Sequence, residues 1–268
     1  SRREQLKQLV FLGKLGTIFD KTERIGKLGA LLLKDSSPSD LSDQLVEAAR
    51  LSKADLTTQM VYEFPELQGV VGAVYALKQG ADAEVARAIR DHYWPKSLRE
   101  TMDAKKPIGV LGAWLGVADR IDTLVGAFGI GIGLSGSQDP YALRRAAGGV
   151  VKIVLEMNQL GLSRLDFSLS HAMAAAYKGY GQLKVSEGEV QTKLLEVFRE
   201  RLVSELWDGQ DQRLREILDG VLNTSADKIL VAIEKYQHLK TLYARHRKIL
   251  AQACKVVERT HNILKGSK

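Results

Sequence analysis

Along nearly the whole chain, apolar residues return every three or four positions. Ile229, Ile233, Tyr236, Leu239 and Tyr243 make one such series, and Phe11, Leu15 and Ile18 make another. That spacing lines one face of a helix, whereas a half-buried strand alternates with a period of two, a pattern hard to find here over any useful length. Only five prolines interrupt the 268 residues, so long helices are permitted. Breaks are expected at 34–40 (KDSSPSD), 63–69 (EFPELQG), 93–97 (YWPKS), 104–109 (AKKPIG), 131–140 (GIGLSGSQDP), 178–189 (KGYGQLKVSEGE) and 219–227 (DGVLNTSAD), where turn-forming residues gather. The segments between them have helix length, and the pattern predicts an all-α fold without internal repeats or low-complexity tracts.

This pattern decides how GIGLSG is read. Gly131, Gly133 and Gly136 stand at the GxGxxG spacing of a dinucleotide-binding loop. Such a loop comes after a strand and is answered by an acidic residue about 20 positions on, after a helix and a second strand. Here Val117, Ile121, Leu124 and Val125 precede the glycines at helical spacing, and Glu156 comes after VVKIVL within what reads as one helix. The glycines therefore mark a turn between helices. In the adjoining SQDPYALRRAAGGVVKIVL, Asp139 is placed as an N-cap and Pro140 at the first helical position, ahead of Leu143, Val150, Ile153 and Val154. Free N–H groups at that end, with Arg144 and Arg145 one turn in, would suit a phosphate. Pairing of the two arginines with Asp119 or Asp122 is the purely structural alternative.

Composition narrows the class. With 45% hydrophobic and 26% charged residues the chain can bury a sizeable core. No stretch approaches the roughly 20 apolar residues of a membrane helix, and SRREQLKQLV lacks the apolar run of a signal peptide, so no membrane contact and a cytoplasmic home are expected. A start at Ser1 and an end at NILKGSK point to a piece of a longer chain. The single cysteine, Cys254, cannot form an internal disulfide and reads as a small buried thiol. The charge is uneven: residues 221–268 hold ten Lys and Arg against three acids, which leaves 29 against 29 in the remainder. A basic excess confined to one segment is expected of a part that meets a polyanion.

Several strings are long and unusual: KLGTIFDKTERIGKLG, ARLSKADLTTQMVYEFPELQG, VARAIRDHYWP, GVADRIDTLVGAFGIGIGLSGSQDPYALRRAA and FRERLVSEL. Together and in this order the chain resembles the β subunit of bacterial glycyl-tRNA synthetase over most of its length, and KVVERTHNILK looks like the opening of that family's anticodon-binding domain. The resemblance implies an HD-like helical domain at 1–157, a helical linker region at 158–220, and the start of a truncated, basic tRNA-binding domain at 221–268. It implies tRNA and the synthetase α subunit as partners. No cofactor is expected in this fragment, ATP and Mg being implied for the whole complex, whose α subunit carries the adenylate chemistry. The fragment itself is expected to be catalytically silent, so no catalytic and no metal-binding residue is assigned.

HD-superfamily phosphohydrolases hold divalent metal with an early histidine, an adjacent His-Asp pair and a later Asp, a donor set suited to such ions. Residues 1–91 contain no histidine, and the His-Asp position reads Ser52-Lys53-Ala54-Asp55. Asp55, His92 and Asp119 are the remnants, with Asp119, in ADRID, matching the last Asp. Lys53 would set a positive charge near any metal. The expectation is an inherited scaffold whose hydrolase is lost, Asp119 staying as an ion-pairing or capping group. The rival reading is a working metal-dependent nucleotide phosphohydrolase using Asp55, His92 and Asp119; a third is a purely structural helical module with a solubilising tail.

Other chemistry is sparse. Histidines 92, 171, 238, 246 and 261 are scattered, with His238 and His246 expected on an exposed polar face, and Ser135 and Ser137 in LSGSQ do not form the GxSxG elbow of a nucleophilic serine. EFPELQG reads as a corner with Phe64 and Leu67 buried and Gln68-Gly69 turning the chain, or else as a protein-contact surface. The terminal segment is expected as one long helix over 228–258, or two across a kink. Its apolar stripe would run Ile229, Ile233, Tyr236, Leu239, Tyr243, Leu250, Ala253 and Val257, the tyrosines serving the core. Lys240, Arg245, Arg247, Lys248, Lys255 and Arg259 fall on the other faces, and with Arg144 and Arg145 they are the candidate RNA-binding residues, neutralising phosphates by shape rather than sequence.

Overall fold

The computed structural model describes residues 1–36, 41–103, 105, 107–134, 139, 141–161 and 167–266, with side chains described up to Arg247, Ser36 apart, and at Gln252. Among the described residues there are twelve α-helices and no sheet, only an isolated bridge between Val10 and Thr17. The helices are α1 (Arg2–Gln5), α2 (Ile18–Ser36), α3 (Ser42–Leu51), α4 (Gln59–Glu63), α5 (Val70–Lys78), α6 (Ala83–Asp91), α7 (Val110–Gly129), α8 (Leu143–Gln159), α9 (Leu169–Gly179), α10 (Glu187–Leu206), α11 (Gln212–Ser225) and α12 (Ile229–Gly266). The all-α expectation holds.

Helix α7 is the axis. Sixteen of its twenty residues are buried, because it packs against α2, α3, α6, α8, α9 and α10 at once; a helix apolar over most of its surface belongs in the middle of a bundle. Gly112 and Gly116 let α6 come close: a Cβ on Gly112 would stand 2.6 Å from the Cβ of Asp91, and one on Gly116 would stand 2.9 Å from the carbonyl of His92. The buried apolar residues form one cluster from Phe11 to Tyr236, fed at its far end by α11 and α12. No helix among the described residues is long and apolar enough to cross a membrane.

Three local expectations are corrected. Phe11 and Leu15 are buried but not helical: residues 9–17 fold back through Leu12, Gly13 and Gly16, all at positive φ, and α2 starts only at Ile18. The interval 219–227 is mostly helix, since α11 runs through Ser225 and the chain breaks only before Ile229. Phe64 is exposed, because α4 ends at Glu63 and a short 3₁₀ turn over Pro65–Leu67 carries the chain along the surface; Gly69, at φ 82°, makes the corner as expected.

Candidate functional site

The polar centre of the bundle is built from α2, α7, the turn after α3 and the end of α6. Lys53, in the turn, places its Nζ 2.8 Å from Asp119 Oδ2 on α7 and 2.9 Å from His92 Nε2. Lys21 on α2 approaches the other oxygen of Asp119 at 2.8 Å and reaches Asp122 Oδ2 at 3.1 Å and Thr123 Oγ1 at 2.8 Å. Arg24, one turn along α2, donates to both oxygens of Asp122 at 2.8 and 3.3 Å, and lies 4.0 Å over the ring of Tyr180. A two-by-two lattice results, cations at i and i+3 on α2 meeting carboxylates at i and i+3 on α7.

Protonation states are set by these contacts. The carbonyl of Ile89 lies 2.8 Å from His92 Nδ1 and can only accept, so Nδ1 carries the proton and Nε2 accepts from Lys53. Burial and the neighbouring Lys53 push the imidazolium well below the usual histidine range. Burial alone would lift the Asp119 carboxyl, but Lys21 and Lys53 outweigh it and hold the group well below the usual carboxylate range. Asp55 serves elsewhere: its Oδ2 accepts from Gly69 N at 2.7 Å at the start of α5, and burial raises its carboxyl.

This arrangement overturns the phosphohydrolase alternative. Of its three proposed residues, His92 and Asp119 are joined by an ammonium rather than left open for a metal, and Asp55 is spent on the backbone of α5. A bound lysine supplies charge but no open coordination position and no activated water, which metal-dependent hydrolysis requires. Among the described residues no group of three or more His, Cys, Asp or Glu side chains could hold a metal ion. Asp119 is the ion-pairing group expected of it.

Sequence reasoning missed Lys21, Arg24 and Arg120. Arg120 donates to the carbonyls of His92, Gly116, Tyr93, Trp94 and Pro95 at 2.9 to 3.2 Å, clamping the segment after α6; burial lowers its guanidinium to about 10. The partner pattern K-x-x-R with D-x-x-D was present in the sequence, but it becomes informative only once α2 is known to lie on α7.

The glycine-rich segment lies where a turn was expected. Gly131 and Gly133 fall between α7 and α8, with no strand before them; Gly136, Ser135, Ser137 and Pro140 lie outside the described residues. Helix α8 starts at Leu143, three residues later than expected, after Ala142 at φ 54°. Asp139 still caps it, accepting from Leu143 N at 2.6 Å and Arg144 N at 2.9 Å. Its carboxylate thus fills the phosphate site foreseen at this helix start. Arg145 is exposed and Arg144 half-buried, while Asp119 and Asp122 take their cations from Lys21, Lys53 and Arg24.

The basic segment forms α12, with a kink at His246 (φ −131°, ψ 39°). Ile229, Ile233 and Tyr236 are buried and Leu239 packs against the core; Lys240, Arg245 and Arg247 are exposed, as are His238 and His246. Arg247 lies 5.3 Å over the half-buried ring of Tyr243. The side chains of Lys248, Leu250, Ala253, Cys254, Lys255, Val257, Arg259 and His261 lie outside the described residues.

Residues 1–222 match the family described as glycyl-tRNA synthetase beta subunit. The glycine–tRNA ligase beta subunit of Moorella thermoacetica is 41% identical over 240 residues, covering 88% of this chain and 33% of that protein. Its counterpart in Thermotoga petrophila is 41% identical over 272 residues, covering 98% of this chain and 35% of that one. That of Pseudomonas entomophila is 42% identical over 202 residues, covering 75% and 28%. The chain spans about a third of the length of the first two of these relatives.

Proposed function

The chain belongs to the glycyl-tRNA synthetase beta-subunit family, and from that premise we propose that it binds and positions tRNA for glycylation in an α/β complex. In this reading residues 1–157 form a scaffold of HD type without hydrolase activity, 158–220 link it to the basic segment, and 221–268 open an anticodon-binding domain. Adenylate formation, with ATP and Mg, belongs to the α subunit, and this chain alone is silent in that step. The cytoplasm, where tRNA is charged, is its place of work.

The observation that carries the proposal is the division of α12. One face is committed to the core through Ile229, Ile233 and Tyr236, while Lys240, Arg245 and Arg247 stand exposed on the same helix. Cations spaced along a helix neutralise successive phosphates and release counterions, so affinity falls steeply with salt. Arg144 and Arg145 are assigned to the same surface function as a second basic element, and Lys248, Lys255 and Arg259 extend the first in sequence.

A gel-shift with tRNA across a salt series, challenged with a non-nucleic polyanion, tests this. The reading expects retarded tRNA at low ionic strength, loss of the complex as salt rises, and resistance to competitor at equal charge. Absent or salt-insensitive binding overturns it.

A further inference from the structure

The cations paired around Asp119 outnumber the carboxylates they bond. Lys21, Lys53 and Arg24 bring three positive groups to Asp119 and Asp122, while His92 is neutral, and Arg120 stands beside them with Glu100 as an acidic neighbour. Both oxygens of Asp119 are already taken by lysines, and Arg120 spends its donors on carbonyls, which bear no net charge. Cations in excess of the carboxylates they bond create a field that favours an anion where the cluster meets solvent.

It meets solvent at a cleft of about 350 Å³ that Asp119 and Arg120 themselves line. Lys96 and Arg145 add two further cations to its wall, and Tyr93 and Tyr141 add ring surfaces, Tyr141 being 47% exposed. Among the described residues, Lys96 donates to the backbone carbonyl of Glu66, the one other acid lining the cleft, and Arg145 has no ion-pair partner. The volume suits a small molecule, and cations beside an aromatic face are the combination that holds a phosphate and stacks a base.

We propose that this cleft binds one phosphorylated nucleotide unit, free or as part of an RNA strand, with the phosphate against Arg145 and Lys96 and the base against Tyr141. An ammonium now stands between His92 and Asp119, so the centre supplies positive charge to an anion instead of donors to a metal. The proposal extends the tRNA reading to a site away from α12, and the two can fail separately.

Titration calorimetry of the 268-residue chain with adenosine 5′-monophosphate at low salt tests it. The expected result is one site per chain, with adenosine at least about tenfold weaker, Arg145→Ala and Lys96→Ala each weakening the nucleotide about tenfold, and Lys240→Ala leaving it unchanged. Unaltered melting of the variants shows that the fold is kept. No heat from the nucleotide, or equal affinity in all variants, overturns the proposal. Displacement of the nucleotide by tRNA identifies the natural source as an RNA strand, and binding alongside tRNA identifies a free nucleotide; either supports the site. Salt-dependent tRNA binding without nucleotide binding sinks this inference and spares the tRNA reading, and the converse result sinks that reading and spares this one.

Discussion

The polar centre on α7 and the outer face of α12 use the same residue types to opposite ends. At the centre, Lys21 and Lys53 are buried and Arg24 half-buried against Asp119 and Asp122 at hydrogen-bond distance, so their charges hold helices together. On α12, Lys240, Arg245 and Arg247 stand in water, where a charge adds little to stability and remains available to a partner. The difference teaches that a cation's role is set by burial and by its neighbours, not by its identity.

The sharpest way to break the comparison is to remove a central carboxylate. Asp119→Ala leaves Lys21 and Lys53 facing each other without their shared counter-charge, a loss of about 3–5 kcal/mol by analogy with broken buried pairs. Chemical denaturation should show it as a fall in midpoint, and an unchanged midpoint would contradict the structural role of the cluster. Lys53→Met is expected to cost less, about 1–3 kcal/mol, because Asp119 keeps Lys21 while Asp119 Oδ2 and His92 Nε2 lose a donor. If Lys53→Met instead created tight metal retention, the ammonium would be a plug rather than a partner.

Acid sharpens it further. His92 has a depressed folded pKa, so below about pH 6.5 the unfolded chain takes up a proton that the folded one refuses. Its contribution is therefore fully present above that pH and is lost as pH falls through the folded value, at up to about 1.4 kcal/mol per pH unit. Asp119 acts in the same sense in a lower window, beginning near the ordinary carboxylate value of about 4. Denaturant titrations at stepped pH should show the first decline in the parent and not in His92→Gln; a parallel decline in both would remove His92 from the account. The smallest stability effect is expected on α12, where Arg245→Ala and Arg247→Ala leave the melting temperature unchanged.

Much of this was legible in the sequence. Periodicity gave α7, α8 and α12 because long runs with a regular apolar face leave one regular solution, and the glycine turn was separable from a nucleotide fingerprint because a helix precedes it. Local turns were harder: Phe11 and Leu15 keep a helical spacing while Gly13 and Gly16 take the chain through positive φ. Phe64 and Leu67 were expected inside the corner, yet Pro65 and the short turn hold Phe64 at the surface and leave Leu67 half-buried. The site was half visible. Asp55, His92 and Asp119 stood out as chemical remnants, whereas Arg120, on α7, holds four carbonyls of the segment after α6, a role that depends on tertiary approach alone.

The most direct measurement is the salt dependence of tRNA binding for the parent, for Lys240→Ala/Arg245→Ala/Arg247→Ala, and for Lys53→Met. The account predicts a slope of log affinity against log salt that is shallower by roughly one per phosphate-contacting cation removed from α12. Lys53→Met should keep the parental slope at any temperature where it is folded. An unchanged slope in the α12 variant, with a lowered one in Lys53→Met, would contradict the division between a centre that holds the fold and a helix that meets the RNA.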